Sequence, residues 1–165
     1  MKKGWGLAFV ASLMLVMTSS AFAQTSSQTV LYRELTGFGG MMFDFGGDED
    51  SDATGGIALA FKVTPRVGIE AEVGAIFADD ARFNGNVDLV LNFGTGASAV
   101  VPYVIGGGGV MTDGGTDVAI NGGLGMKMFI DYNIALRLDF RAFFFTEGDD
   151  AEDIERIYGG MTFFF

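Results

Sequence analysis

The sequence has no cysteine, no histidine, two prolines and a single tryptophan in 165 residues. Without cysteine there is no disulfide and no thiol nucleophile. Without histidine, zinc sites built on imidazole and every triad that needs an imidazole base are excluded as well. Basic residues are scarce too, 10 against 21 acidic ones. A formal net charge of −11 argues against a nucleic-acid partner, whose phosphates need a basic face. Beyond the N-terminal segment no run of 18 apolar residues occurs, so no transmembrane helix is expected. What is plentiful is glycine, 26 residues, and phenylalanine, 17, within a chain that is 49% hydrophobic. Such a composition belongs neither to a disordered tail nor to collagen, and its glycines must sit inside regular structure. The length suits one domain.

The N-terminus reads as an address. Lys2 and Lys3 precede a short apolar core, Leu7 to Met17, and Ala21-Phe22-Ala23 forms a small-x-small cleavage site. Residues 1–23 are therefore expected to be a signal peptide, and residues 24–165, starting at Gln24, the mature exported domain.

From there the chain alternates. Ile57, Leu59, Phe61 and Val63 share one parity against Ala58, Ala60, Lys62 and Thr64. Val67, Ile69, Ala71, Val73, Ala75 and Phe77 oppose Gly68, Glu70, Glu72, Gly74 and Ile76. Val87, Leu89, Leu91 and Phe93 oppose Asn84, Asn86, Asp88 and Asn92. Val101, Tyr103 and Ile105 share a face beside a run of four glycines, Gly106 to Gly109. Val118, Ile120, Leu124, Met126 and Met128 oppose Asn121, Gly123, Gly125 and Lys127. Ile134, Leu136, Leu138, Phe140 and Phe144 then oppose Arg137, Asp139 and Arg141. Finally Ile157, Met161, Phe163 and Phe165 oppose Arg156, Tyr158, Gly160 and Thr162. A first strand near Glu34 to Phe45, with Leu35, Met41, Phe43 and Phe45 on one face, brings the count to eight. Period two over ten residues is a strand with two chemically different faces.

The connections alternate as well. Thr64-Pro65-Arg66, Gly94 to Ser98 and Asp131-Tyr132-Asn133 are short. The other four, Gly46 to Gly56, Ala78 to Arg82, Thr112 to Asp117 and Glu147 to Glu155, carry most of the acid. This pattern is an antiparallel up-and-down meander with chemically distinct ends.

Periodicity cannot say which face points inward. A soluble lipocalin-like barrel puts the apolar set inside, and a transmembrane barrel puts it against lipid. Three features favour the second. The apolar set carries no charge, on strands long enough to cross when tilted. The polar set is rich in small residues and nearly charge-balanced, with Lys62, Lys127, Arg137, Arg141 and Arg156 against Glu70, Glu72, Asp88 and Asp139. A narrow lumen needs both properties, because buried charges must pair. The sequence also stops inside a strand, at Phe165. The expected fold is all-β, an eight-stranded antiparallel up-and-down transmembrane β-barrel that leaves no backbone edge unpaired.

Pro102-Tyr103-Val104-Ile105-Gly106-Gly107-Gly108, Asn121-Gly122-Gly123-Leu124-Gly125-Met126-Lys127 and Ala135-Leu136-Arg137-Leu138-Asp139-Phe140-Arg141 are of one style. With the terminal Met161-Thr162-Phe163-Phe164-Phe165, the chain resembles the small outer-membrane β-barrels of Gram-negative bacteria, the OmpA/OmpX-type barrels and their opacity-protein relatives. The resemblance covers essentially the whole mature chain. It implies a monomer in outer-membrane lipid and lipopolysaccharide, with an unidentified extracellular partner for the loops. It also implies a C-terminal signal, carried by Met161, Phe163 and Phe165, that the barrel-assembly machinery reads. The chain departs from the family in using Phe where girdles favour Tyr and Trp. It also offers no stretch for a periplasmic peptidoglycan-binding domain, and that role is not carried over.

Candidate chemistry is sparse. The nine charged lumen residues could gate a conduction path, but eight strands leave an interior that side chains fill, so a structural ion-pair network is expected. Asp48-Glu49-Asp50-Ser51-Asp52 alternates like a calcium loop, yet Ala53 stands where the turn glycine belongs and Leu59 where the bidentate glutamate belongs. Gly106 to Gly109 lacks the Lys-Ser/Thr of a phosphate loop and reads as close packing or a bend in the wall. The familiar enzymes of this scaffold rely on a histidine the chain does not have. No catalytic residue, metal ligand or cofactor is therefore expected. The expected function is structural or surface-interactive, with a narrow ion or solute channel and a soluble periplasmic ligand-binding barrel as alternatives.

Overall fold

In a computed structural model, residues 33–44, 51–78, 81–94, 98–112, 115–146 and 154–165 are described. The signal segment 1–23 lies outside them, as do the acidic residues 48–50 of the calcium-like stretch. The described residues form eight strands: β1 (Arg33–Asp44), β2 (Ser51–Lys62), β3 (Val67–Phe77), β4 (Arg82–Asn92), β5 (Val100–Thr112), β6 (Thr116–Asp131), β7 (Ile134–Phe145) and β8 (Ile154–Phe164). Each pairs antiparallel with its sequence neighbours, and β8 pairs with β1 to close the barrel. Closure runs to the last residue: Phe165 N–H donates to the Arg33 carbonyl at 3.1 Å, and Arg33 N–H returns a bond to the Phe165 carbonyl at 3.2 Å.

Local chemistry sets the short ends. Thr64 Oγ1 accepts from the Val67 N–H at 3.0 Å and closes the β2–β3 turn with its own side chain. Tyr132 and Asn133 alone join β6 to β7, and the register there shifts between Phe129 and Asp131. Such a bulge bends and twists the strand near the barrel's rim.

The faces sort as an inverted barrel requires. Ile57, Val73, Val87, Ile120 and Ile157 are all more than half exposed on the outside, while Arg137 is 1% exposed and Arg141 and Arg156 are 0% exposed on the inside. In water this would expose apolar surface all round the wall, and against lipid that surface is the matching one.

Two expectations need correcting. The β1–β2 connection is shorter than 46–56, because β2 starts at Ser51 and Asp52 belongs to the strand. Gly55 and Gly56, which read as a turn, are ladder residues opposite Gly39 and Phe38. Likewise β6 begins at Thr116 and β8 at Ile154, which takes Asp117 and Glu155 out of the loops. The second correction concerns β5. Val101, Tyr103 and Ile105, read with the lipid-facing set, point into the lumen and are nearly inaccessible. Their strand is apolar on both sides, so alternation carried no sign there. The tie is broken by the Tyr103 hydroxyl, which finds a partner only inside.

Candidate functional site

The lumen concentrates the buried charges of the described residues. All nine charged side chains singled out above lie in it, joined by Glu34 of β1, which sequence reasoning placed at a strand start and did not count. With Glu34 the set holds five cations and five anions.

Near the short-turn end, Glu34 sits between two lysines. Lys127 Nζ donates to Glu34 Oε2 at 2.5 Å and to Asn92 Oδ1 at 3.4 Å, and Lys62 Nζ lies 3.2 Å from Glu34 Oε1. Lys62, the last residue of β2, is the most accessible of these charges.

The centre is built on two arginines of β7. Arg137 makes a two-pronged contact with Glu70, Nη1 to Oε2 at 2.6 Å and Nη2 to Oε1 at 3.0 Å. Its Nε donates to the Tyr103 hydroxyl at 2.6 Å, and that hydroxyl donates to Asp139 Oδ2 at 2.5 Å. Arg141 reaches four carboxylates: Asp88 at 2.7 Å, Asp139 and Glu70 at 2.9 Å, and Glu72 at 3.3 Å. It also donates to the Tyr158 hydroxyl at 3.0 Å. Asn121 holds the other side of Asp88 at 2.8 Å.

Above them Arg156 grips Glu72 with both terminal nitrogens, at 2.6 and 3.0 Å, and its guanidinium lies 4.8 Å from the Tyr158 ring centre and 5.2 Å from those of Phe38 and Phe143. Toward the acidic-loop end the lumen turns apolar, where Met42, Ile76, Met111, Phe143 and Ile154 pack together. Asp52 and Arg82 pair at 2.5 Å at that end.

Glycine makes room for this filling. Phe38 stands opposite Gly160, Tyr158 opposite Gly40, Asp88 opposite Gly107 and Arg141 opposite Gly123. A Cβ at Gly123 would come within 2.8 Å of Arg141 Cγ, and one at Gly160 within 3.1 Å of Phe38 Cβ. Several of the large lumen side chains therefore lie over a gap on the neighbouring strand, which makes room for them inside eight strands.

Chemically this arrangement holds charge and leaves none free to react. Every carboxylate of the network has a cation within 3.3 Å. Among the described residues no group of His, Cys, Asp and Glu is placed to hold a metal ion. Met161, Phe163 and Phe165 lie elsewhere, on the outer face of β8 and its end, half-exposed.

The chain matches no protein-family model and no curated sequence relative. Solved structures do match its shape. It is similar to the N-terminal β-barrel domain of OprF from Pseudomonas aeruginosa, with a TM-score of 0.64 and 17% identity over 82% of this chain and 100% of that one. It is similar to Neisserial surface protein A, with a TM-score of 0.64 and 12% identity over 81% of this chain and 96% of that one. The outer-membrane enzyme PagL is a more distant likeness, with a TM-score of 0.52 and 13% identity over 79% of this chain and 98% of that one. The chain thus has the fold of the small eight-stranded outer-membrane β-barrels.

Proposed function

We propose that this chain is a non-enzymatic integral outer-membrane protein whose barrel is a closed anchor for acidic surface loops. The observation that carries the reading is the filled lumen: ten paired charges packed against glycines, with an apolar cluster across the acidic-loop end. An interior filled by side chains in this way favours a barrel that holds its loops in place and does not conduct. The outer face supports lipid and lipopolysaccharide as its surroundings, and closure of the barrel within one chain suits a monomer. PagL shows that the same fold can carry an enzyme, so the fold alone does not decide. The lack of any histidine or cysteine in the sequence favours the non-catalytic reading.

On this reading residues 1–23 direct export and are removed. Met161, Phe163 and Phe165 present an apolar C-terminal strand face to the assembly machinery. The acidic connecting segments face outward, where an extracellular partner meets them.

The test combines two measurements on the purified full chain. In SDS gels the unboiled protein migrates apart from the boiled one, because a closed strand ladder unzips only with heat. In planar bilayers it gives no discrete conductance steps. Steps that survive removal of contaminating porins would replace the anchor with a narrow channel, and recovery from the soluble periplasm without detergent would overturn both.

A further inference from the structure

The pairing register holds an arrangement that the ion-pair distances alone conceal. Directly opposed residues on neighbouring strands bring both lumen side chains close, and like charges in that position are unfavourable. Three opposed positions in the lumen carry a charge on both strands. Glu70 of β3 faces Asp88 of β4. Lys127 of β6 faces Arg137 of β7. Arg141 of β7 faces Arg156 of β8. All three are pairs of like sign.

The charges that neutralise them come mostly from across the lumen. Glu70 is held by Arg137 and Arg141 of β7, Asp88 by Arg141, Lys127 by Glu34 of β1, and Arg156 by Glu72 of β3. The two halves of the wall are correspondingly opposite in sign. Strands β1–β4 contribute four anions and one cation to the network, and β5–β8 contribute four cations and one anion.

We propose that these three like-charged pairs are a closure lock. They penalise the β3–β4, β6–β7 and β7–β8 hairpins whenever these form alone. Asp139 offsets part of the charge on Arg137 and Arg141 within β7 itself, and the rest of the penalty is offset only when the two half-walls meet. An unclosed sheet carries mostly anions on one half and mostly cations on the other, so most of these charges lack their lumen partners until the halves meet. The exported chain is thereby kept from settling into local hairpins in water and is driven to close as a whole. A lumen built merely for stability could have placed each cation directly opposite an anion on the adjacent strand. This one places none so.

The experiment follows the full mature chain, diluted from urea into short-chain phosphatidylcholine vesicles. Far-UV circular dichroism reads sheet formation, and the unboiled gel band reads closure. This proposal rests on the membrane-barrel reading, and absence of a closed band in the unaltered chain would overturn both. In the unaltered chain at low salt, the dichroism signal and the closed band should grow with one time constant. The triple variant Asp88→Asn, Lys127→Gln, Arg156→Gln neutralises one member of each pair. Its early sheet, present before any closed band, should be enriched roughly tenfold, and that signal is readable even if the variant never closes. Added salt should split the two signals in the unaltered chain by screening the repulsion, and should leave the variant's early phase unchanged. Early sheet that is equally abundant in both chains at low salt, or a salt response of the same size in both, would refute the lock.

Discussion

The sharpest test of the lumen chemistry is Arg141→Met. Methionine keeps the flexible stem of the side chain and removes the guanidinium, which is fully buried. The cost can be worked from what each carboxylate retains. Glu70 keeps its two-pronged contact with Arg137, and Glu72 keeps its own with Arg156. Asp139 keeps Arg137 at 2.9 Å and the Tyr103 hydroxyl. Asp88 alone loses its cation, and among the described residues it is left with Asn121. Breaking a buried pair by removing one partner costs about 3–5 kcal/mol, because the remaining charge is stranded. That magnitude should apply here once, for Asp88, and not four times. The double variant Arg141→Met, Asp88→Asn should therefore recover more than half of the loss. Lys62→Met, at the accessible mouth and with Glu34 still held by Lys127, should cost less than about 1 kcal/mol. Urea unfolding in vesicles, scored by the unboiled gel band, measures all three. A single variant within 1 kcal/mol of the parent, or a double variant no better than the single, would show that the network is not what stabilises these carboxylates.

Other predictions follow from faces and gaps. Gly107→Ala should cost about 1–3 kcal/mol, because its Cβ would run into the Val87 carbonyl oxygen and the Asp88 backbone, which cannot turn aside. Gly106→Ala, one residue away and facing out with only an ordinary contact at 3.5 Å, should be tolerated in the same unfolding assay. Val87→Arg, on the outer wall, should destabilise by about 2–4 kcal/mol in vesicles if that wall meets the lipid interior. Phe143→Ala together with Met111→Ala should remove the apolar cluster and still give no conductance steps in bilayers, since the ion-paired layers lie beneath it.

How much of this was legible in the sequence depends on the kind of information each residue carries. Alternation gave β3 to the residue, Val67 to Phe77, because Glu70 and Glu72 mark its inner face unambiguously. It failed on β5, where Val101 and Tyr103 look no different from Val100 and Val104 until the Tyr103 hydroxyl is seen on Asp139. It failed at Gly55-Gly56 for another reason: glycine reads as a turn, and only the register shows that Gly56 leaves space for the Phe38 ring. Glu34 was visible as a charge opposite Leu35 in parity, but it stood at the start of the weakest strand and was not counted with the lumen set. Its partner Lys127 is 93 residues away, a separation no local pattern reports.

The ion-paired lumen serves specification more than stability. Well-packed apolar residues could fill the same space as firmly, since a buried pair roughly repays its own desolvation. They could not fix which face is inside. A barrel apolar on both faces would let any strand slip by one residue without penalty. In this chain a one-residue slip of β7 turns Arg137, Asp139 and Arg141 toward lipid, where each arginine near the midplane costs about 2–4 kcal/mol. The stripped carboxylates on β3 and β4 add their own loss. Strand β5 tests the argument from the opposite side, because it carries no lumen charge to hold its register. Its place is held by the Tyr103 hydroxyl and by the glycines at 107 and 109, which lie over Asp88 and Asn86. Tyr103→Phe should therefore loosen β5 in particular, raising amide exchange along Val100–Thr112 while β3 and β7 stay protected. Uniform exchange across all eight strands would mean that register is shared by the whole ladder and not written strand by strand in the lumen.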